Sequence, residues 1–126
     1  MTYTNVLQMG NKHHEMLNSM DFYEKELNFM RGLLTEVVSK NTSMEVRGAA
    51  DHFEHQFLIQ QHNIDGSKKR IQQNLHLSST AAQEHAGKVE TELLTDEMDI
   101  EKQVAGIEKV ILELRAEFKK FLVKWM

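Results

Sequence analysis

The chain has 126 residues, 40% of them hydrophobic, a formal net charge of -4, and neither cysteine nor proline. This length suits one domain, 1–126, with a buried core; the missing cysteines exclude disulfides and zinc–thiolate sites, and the acidic balance disfavours nucleic-acid binding. The N-terminal residues lack the basic and apolar regions of a signal peptide, and no apolar run approaches the roughly 20 residues of a membrane span, so we expect a cytoplasmic protein that does not enter membranes.

The first predicted element is a helix over residues 4–40. Apolar residues recur along it at alternating spacings of three and four, which is the pattern of a helix that packs in a bundle, and His13 is the one polar member of the series. Asn41 can adopt the left-handed conformation that ends a helix, and Thr42 or Ser43 can cap the next one.

The helix over residues 4–40 is also apolar beside this series. Phe22, Phe29 and Leu33 widen its apolar arc to about 200° at 100° per residue, more than one helix of a three-helix bundle needs. The two Phe rings either lie in a groove against another helix of the same chain or form a second contact surface that pairs two copies. We therefore take Phe22, Phe29 and Leu33 as candidate interface residues.

The second predicted helix covers residues 44–77. Its apolar series is interrupted at Gln60, Ser67 and Asn74, which are seven residues apart and occupy positions where a buried side chain is expected. The sequence therefore predicts either buried polar contacts or partial exposure on this side of the helix.

The same helix carries a cluster of histidine and acidic side chains that could bind a metal weakly. Asp51 and His55 are four residues apart, and His52 and His62 lie nearby. However, His52 and His55 are three apart, whereas the zinc-helix signature needs two histidines four apart. A solvated polar stripe is the simpler interpretation, and a metal site formed by Asp51, His52, His55 and His62 is kept as the alternative.

The third predicted helix covers residues 81–125, after a break at Leu77–Thr80 in which Thr80 and Gln83 fit a capping box. In the alternative, a loop or short helix covers residues 78–95 and the main helix begins with Thr95 and Asp96 as its cap. Its apolar residues form an unbroken heptad series: Ile100, Val104, Ile107, Ile111, Leu114, Phe118, Phe121 and Trp125.

Short connections force neighbouring helices to run antiparallel, so the sequence predicts an all-α, elongated, up-down-up three-helix bundle resembling a coiled coil. It offers no catalytic constellation: no Glu-x-x-His pair for a di-iron site, no glycine-rich phosphate loop and no nucleophile elbow. We therefore expect no enzyme activity, no catalytic residue and no cofactor.

Three segments resemble a functionally uncharacterised group of small long-helix proteins from Bacteroidetes-type bacteria. They are Phe22–Leu27, Val37–Thr42 and Glu117–Met126, and the likeness covers most of the chain except residues 78–95. This resemblance implies a bacterial cytoplasmic protein and transfers no site residue.

The sequence thus favours a non-enzymatic helical-bundle module, an interaction or scaffold protein that self-associates, most simply as a dimer, or docks a partner helix. The alternative function is a metal-binding or metal-sensing bundle that uses the His/Asp cluster of the second helix.

Overall fold

The computed structural model describes residues 3–84 and 88–126, with side chains for residues 9–84 and 91–126. Three helices, α1 (Val6–Lys40), α2 (Met44–Glu84) and α3 (Thr91–Trp125), pack together, which confirms the predicted all-α bundle. Two three-residue strands, β1 (Tyr3–Asn5) and β2 (Lys88–Glu90), pair antiparallel beside the α2–α3 junction.

Ion pairs between helices show how the bundle is arranged. Lys12 Nζ lies 3.2 Å from Glu101 Oε1, and further along the same two helices Arg115 Nη1 lies 2.8 Å from Glu26 Oε1. Because residue numbers rise together along both helices, α1 and α3 run parallel. Helix α2 connects the end of α1 to the start of α3 and therefore runs antiparallel to both. This is the up-down-up order.

The core follows the predicted heptad series closely. Seven of the eight predicted α3 residues are buried, and only Trp125 is half-buried. Near the α1–α2 turn, four phenylalanine rings pack with centroids 5.1 to 6.0 Å apart, and we call them the aromatic cluster: Phe53, Phe57, Phe118 and Phe121.

The connection between α1 and α2 confirms the predicted cap at Ser43 and adds side-chain hydrogen bonds from Asn41. Asn41 Nδ2 donates to the Val37 carbonyl at 2.8 Å and to the Trp125 carbonyl at 3.2 Å, so it ties the turn to the end of α3. The Ser43 hydroxyl accepts a hydrogen bond from the Val46 amide at 3.3 Å, which is the geometry of an N-cap.

Replacing Ser43 by alanine is therefore expected to lower the free energy of unfolding by about 1 kcal/mol, because the Val46 amide loses its acceptor. Urea denaturation of the wild type and of Ser43→Ala measures this difference. The matched control is Thr42→Ala, an exposed neighbour outside the cap, which should leave the midpoint unchanged. Equal midpoints for all three proteins would show that Ser43 does not cap α2.

The predicted break at residues 77–80 is wrong. Helix α2 continues to Glu84, and the hydroxyl groups of the expected break, including the predicted cap Thr80, make hydrogen bonds inside the helix. Thr80 Oγ1 donates to the His76 carbonyl at 3.0 Å, and Ser78 Oγ donates to Asn74 Oδ1 at 3.3 Å. Serine and threonine can return a hydrogen bond to the preceding turn, and here this arrangement prevails over a cap.

The predicted third helix over residues 81–125 is wrong in its first part. Residues 81–84 belong to α2, residues 85–87 lie outside the described residues, 88–90 form β2, and α3 begins at Thr91. The alternative start at Thr95 is also wrong, because Thr95 Oγ1 donates to the Thr91 carbonyl one turn earlier within the helix. A break between the two helices does exist, as that alternative required.

Candidate interaction surface and buried polar cluster

The three candidate interface residues lie together on α1. Phe22, Phe29 and Leu33 line an open groove of about 510 Å³ between α1 and α3, which we call the Phe22 groove. Leu122 and the stem of Lys119 form its α3 side. The groove also reaches two side chains of the core, Met30 and Phe118.

The rings of the groove are only partly covered by the bundle itself. Phe22 is 55% exposed and Phe29 is 69% exposed, although both line the groove. The Phe22 ring packs with its edge against Tyr23, with centroids 5.1 Å apart. The intrachain groove therefore exists, but it does not remove these rings from water, and a substantial apolar surface is left without cover on the protein.

Charged side chains surround the Phe22 groove. Arg115 Nη1 donates to Glu26 Oε1 at 2.8 Å, and this pair bridges α1 and α3 across the groove. Lys25 and Lys119 are exposed on its two sides. The surface therefore combines an apolar centre with a charged rim, which is the usual anatomy of a protein–protein interface.

The structure does not bring the four candidate metal ligands together into a site. Asp51, His52, His55 and His62 are all exposed along α2, and the His52 ring packs on Phe53 with centroids 5.4 Å apart. Within residues 3–84 and 88–126, no group of three or more histidine, aspartate or glutamate side chains could hold a metal ion. Nothing in the geometry of this part favours the metal-binding alternative.

A second unusual feature is a buried polar cluster at the end of the bundle opposite the aromatic cluster. His13 on α1, Asn74 and Ser78 on α2, and Glu97 on α3 are each no more than 1% exposed. His13 Nε2 lies 2.7 Å from Asn74 Oδ1 and 3.5 Å from Glu97 Oε2. Each of the three helices thus contributes at least one buried polar side chain to this cluster.

The partners of Asn74 fix the orientation of this cluster. Asn74 Nδ2 donates to the Leu93 carbonyl at 3.1 Å and to Asp96 Oδ2 at 2.9 Å, so its Oδ1 atom is an acceptor. His13 Nε2 must therefore carry the proton of the hydrogen bond that it makes with Asn74. The same Nε2–H faces Glu97 Oε2 at the longer distance.

The buried carboxyl group of Glu97 lacks both exposure to solvent and hydrogen-bond donors. Neither of its carboxyl oxygens has a hydrogen-bond partner, and His13 Nδ1 also has none. The pKa of Glu97 is raised from its ordinary value of 4.5 to about 7: burial is the main cause, the charge of Glu101 also raises it, and Lys12 opposes the shift. Near neutral pH, Glu97 therefore changes its charge inside the protein.

The polar series on α2 is buried, as one of the two predicted outcomes required. Gln60, Ser67 and Asn74 are at most 5% exposed. Only Asn74 finds partners on the other helices, whereas Gln60 Oε1 and Ser67 Oγ have no hydrogen-bond partner. Among the described residues, buried polar atoms without hydrogen-bond partners therefore lie between the middle of the bundle and the end with the polar cluster, and not at the end with the aromatic cluster.

No described helix combines the length and the apolar character required to cross a membrane. Comparison of the chain with family models, with curated proteins and with solved structures gave no match. The resemblance of Phe22–Leu27, Val37–Thr42 and Glu117–Met126 to a bacterial group stays a prediction.

Proposed function

We propose that this protein is a non-enzymatic interaction module that self-associates through the Phe22 groove. The observation that carries the proposal is the exposure of Phe22 and Phe29, at 55% and 69%, in the centre of an apolar groove. Covering a phenylalanine side chain fully is worth roughly 1.5–3 kcal/mol, so two half-covered rings on one face provide a substantial part of a contact.

The sequence of this face suits a second copy of the same chain. One row of α1, with a spacing of seven residues, reads Glu15, Phe22, Phe29 and Glu36, and it is symmetric about its midpoint. In an antiparallel pairing about a two-fold axis, Phe22 of one copy lies opposite Phe29 of the other. Two-fold pairing of one patch with itself is the commonest arrangement of soluble oligomers.

The charges at the ends of this row are compatible with the same pairing. Glu15 of one copy lies opposite Glu36 of the other, but Lys40 is one turn beyond Glu36 and Lys12 is one turn from Glu15. Each glutamate therefore lies within reach of a lysine of the other copy. The Phe rings supply most of the burial in this pairing, and the rim charges add little selectivity because Lys12 already pairs with Glu101.

The proposal is tested by light scattering at tens of micromolar protein. The wild type should have twice the 14.7 kDa mass of one chain. The double variant Phe22→Lys/Phe29→Lys should have the mass of a single chain, because two lysines in each copy would be desolvated against one another at the groove.

A matched control is Met44→Lys/Val123→Lys, which adds the same charge at two apolar side chains that are 88% and 86% exposed and lie outside the groove. It should remain dimeric. A wild-type mass of one chain would refute self-association and leave a partner helix as the candidate occupant of the groove. A dimer that persists in Phe22→Lys/Phe29→Lys would place the interface on another face.

A further inference from the structure

The polar cluster of His13, Asn74 and Glu97 suggests a function independent of the Phe22 groove. We propose that the His13–Glu97 pair is a proton-operated latch that holds the first turns of α3 against α1 and α2. The two side chains come from helices that are remote in sequence, both are buried, and Nε2 of one faces Oε2 of the other at 3.5 Å.

Charge balance shows which protonation state closes the latch. The fully protonated pair, imidazolium with carboxylic acid, has a charge of +1. When it loses one proton the pair is neutral overall, either as imidazolium with carboxylate or as imidazole with carboxylic acid. Loss of the remaining shared proton leaves a carboxylate beside a neutral ring, with a net charge of -1 at a point closed to water. An isolated buried charge is unfavourable by several kcal/mol, and solvation of Glu97 relieves it.

The surroundings of Glu97 offer little compensation for that charge. From α1, the ionisable neighbours are His13 and Lys12, and Nζ of Lys12 pairs with Glu101 at 3.2 Å. From α3 itself, Glu101 adds repulsion. The described α2 side chains at the cluster, Asn74 and Ser78, are uncharged.

The other charged side chains described near the cluster interact with one another. Arg70 on α2 donates to Asp96 at 3.0 Å and to Asp99 at 3.1 Å, and Asp96 also accepts from Asn74. This network therefore holds Asp96, not Glu97. The raised pKa of Glu97 is consistent with this environment, and the closed latch therefore becomes less stable as the pH rises toward 7.

Opening would first affect the beginning of α3. Asn74 accepts from His13 and donates to the Leu93 carbonyl and to Asp96, so the same amide joins α1 to the first turns of α3. When Glu97 moves toward water, these turns must move with it. The middle of α3, from Ile107 to Phe118, packs in the apolar core and should stay in place.

Hydrogen exchange measured on the full chain between pH 6 and pH 9, corrected for intrinsic exchange rates, tests the latch. Protection of residues 95–101 should fall about tenfold per pH unit until the pH reaches about 7 and then level off, whereas protection of residues 107–118 should not change. Glu97→Gln keeps the shape of the neutral side chain and should remove the pH dependence, and Glu101→Gln, at the pair with Lys12, should retain it.

Equal protection of residues 95–101 at pH 6 and pH 9 in the wild type would overturn the proposal, and this comparison needs no variant to fold. A pH dependence that persists in Glu97→Gln would also overturn it, because another group would then be responsible. Neither result depends on whether the protein forms a dimer.

Discussion

Replacing Phe118 by alanine is expected to lower the free energy of unfolding by about 3–5 kcal/mol, which is a large fraction of the stability of a small domain. Phe118 is 1% exposed and lies at the centre of the aromatic cluster, with ring centroids 5.2 Å from Phe53, 5.3 Å from Phe57 and 5.7 Å from Phe121. The substitution removes these contacts and leaves a cavity between α2 and α3, which packed neighbours can fill only in part. Urea denaturation followed by circular dichroism measures the loss.

The matched control is Val123→Ala on the same helix. Val123 is 86% exposed, so its substitution should change the free energy of unfolding by less than about 0.5 kcal/mol. A loss below 1 kcal/mol for Phe118→Ala would contradict the packing of α3 described above.

The stability of the protein is expected to fall by about 3–4 kcal/mol between pH 4.5 and pH values above 7 because of Glu97 alone. Its pKa is about 7 in the folded protein and 4.5 in its ordinary environment, and one pKa unit corresponds to about 1.4 kcal/mol. Below pH 4.5 the carboxyl is protonated in both states and the contribution is fully present. Between pH 4.5 and 7 the unfolded chain is already ionised while the folded chain still holds its proton, so the contribution decreases. Once the pH has risen through 7 the folded chain is ionised as well, and the contribution is lost.

Urea denaturation of the wild type and of Glu97→Gln at several pH values measures this effect. Other ionisable groups of the protein also respond to pH, so the relevant quantity is the difference between the two proteins. That difference should grow in favour of Glu97→Gln as the pH rises. Glu101→Gln is the control. A difference that does not vary with pH would mean that Glu97 is well solvated in the folded protein.

Heptad spacing predicted most of the architecture because burial in a long helix depends on a simple period. The α3 series from Ile100 to Phe121 and the α1 series around Leu27 are buried where the spacing places them. The end of α2 was less predictable. Ser78 and Thr80 have the chemistry of caps, and only their neighbours in space decide whether the hydroxyl groups cap a new helix or bond within the old one.

The candidate interface was predictable and the polar cluster was not. Phe22 and Phe29 fall outside the seam on a helical wheel, which marked them as unusual, and only the structure shows that the groove leaves both rings largely exposed. The partner of Glu97 is His13, 84 positions earlier, and no local pattern joins them. The sequence does contain one indication of the cluster. Glu97 lies three residues before Ile100, at the preceding seam position of α3, and His13 likewise lies in the seam of α1.

The parallel packing of α1 and α3 has a consequence for synthesis on the ribosome. The side chains that join these helices, such as Glu26 and Arg115, are 89 residues apart, whereas α1 and α2 are joined by a short turn and can pair before α3 exists. Phe53 and Phe57 cannot form their contacts with Phe118 and Phe121 until α3 has been synthesised. Translation of the 35 residues of α3 takes roughly 2–7 seconds at about 5–20 residues per second. During that interval the apolar stripe of α1 and α2 that α3 covers in the folded protein has no partner within the chain.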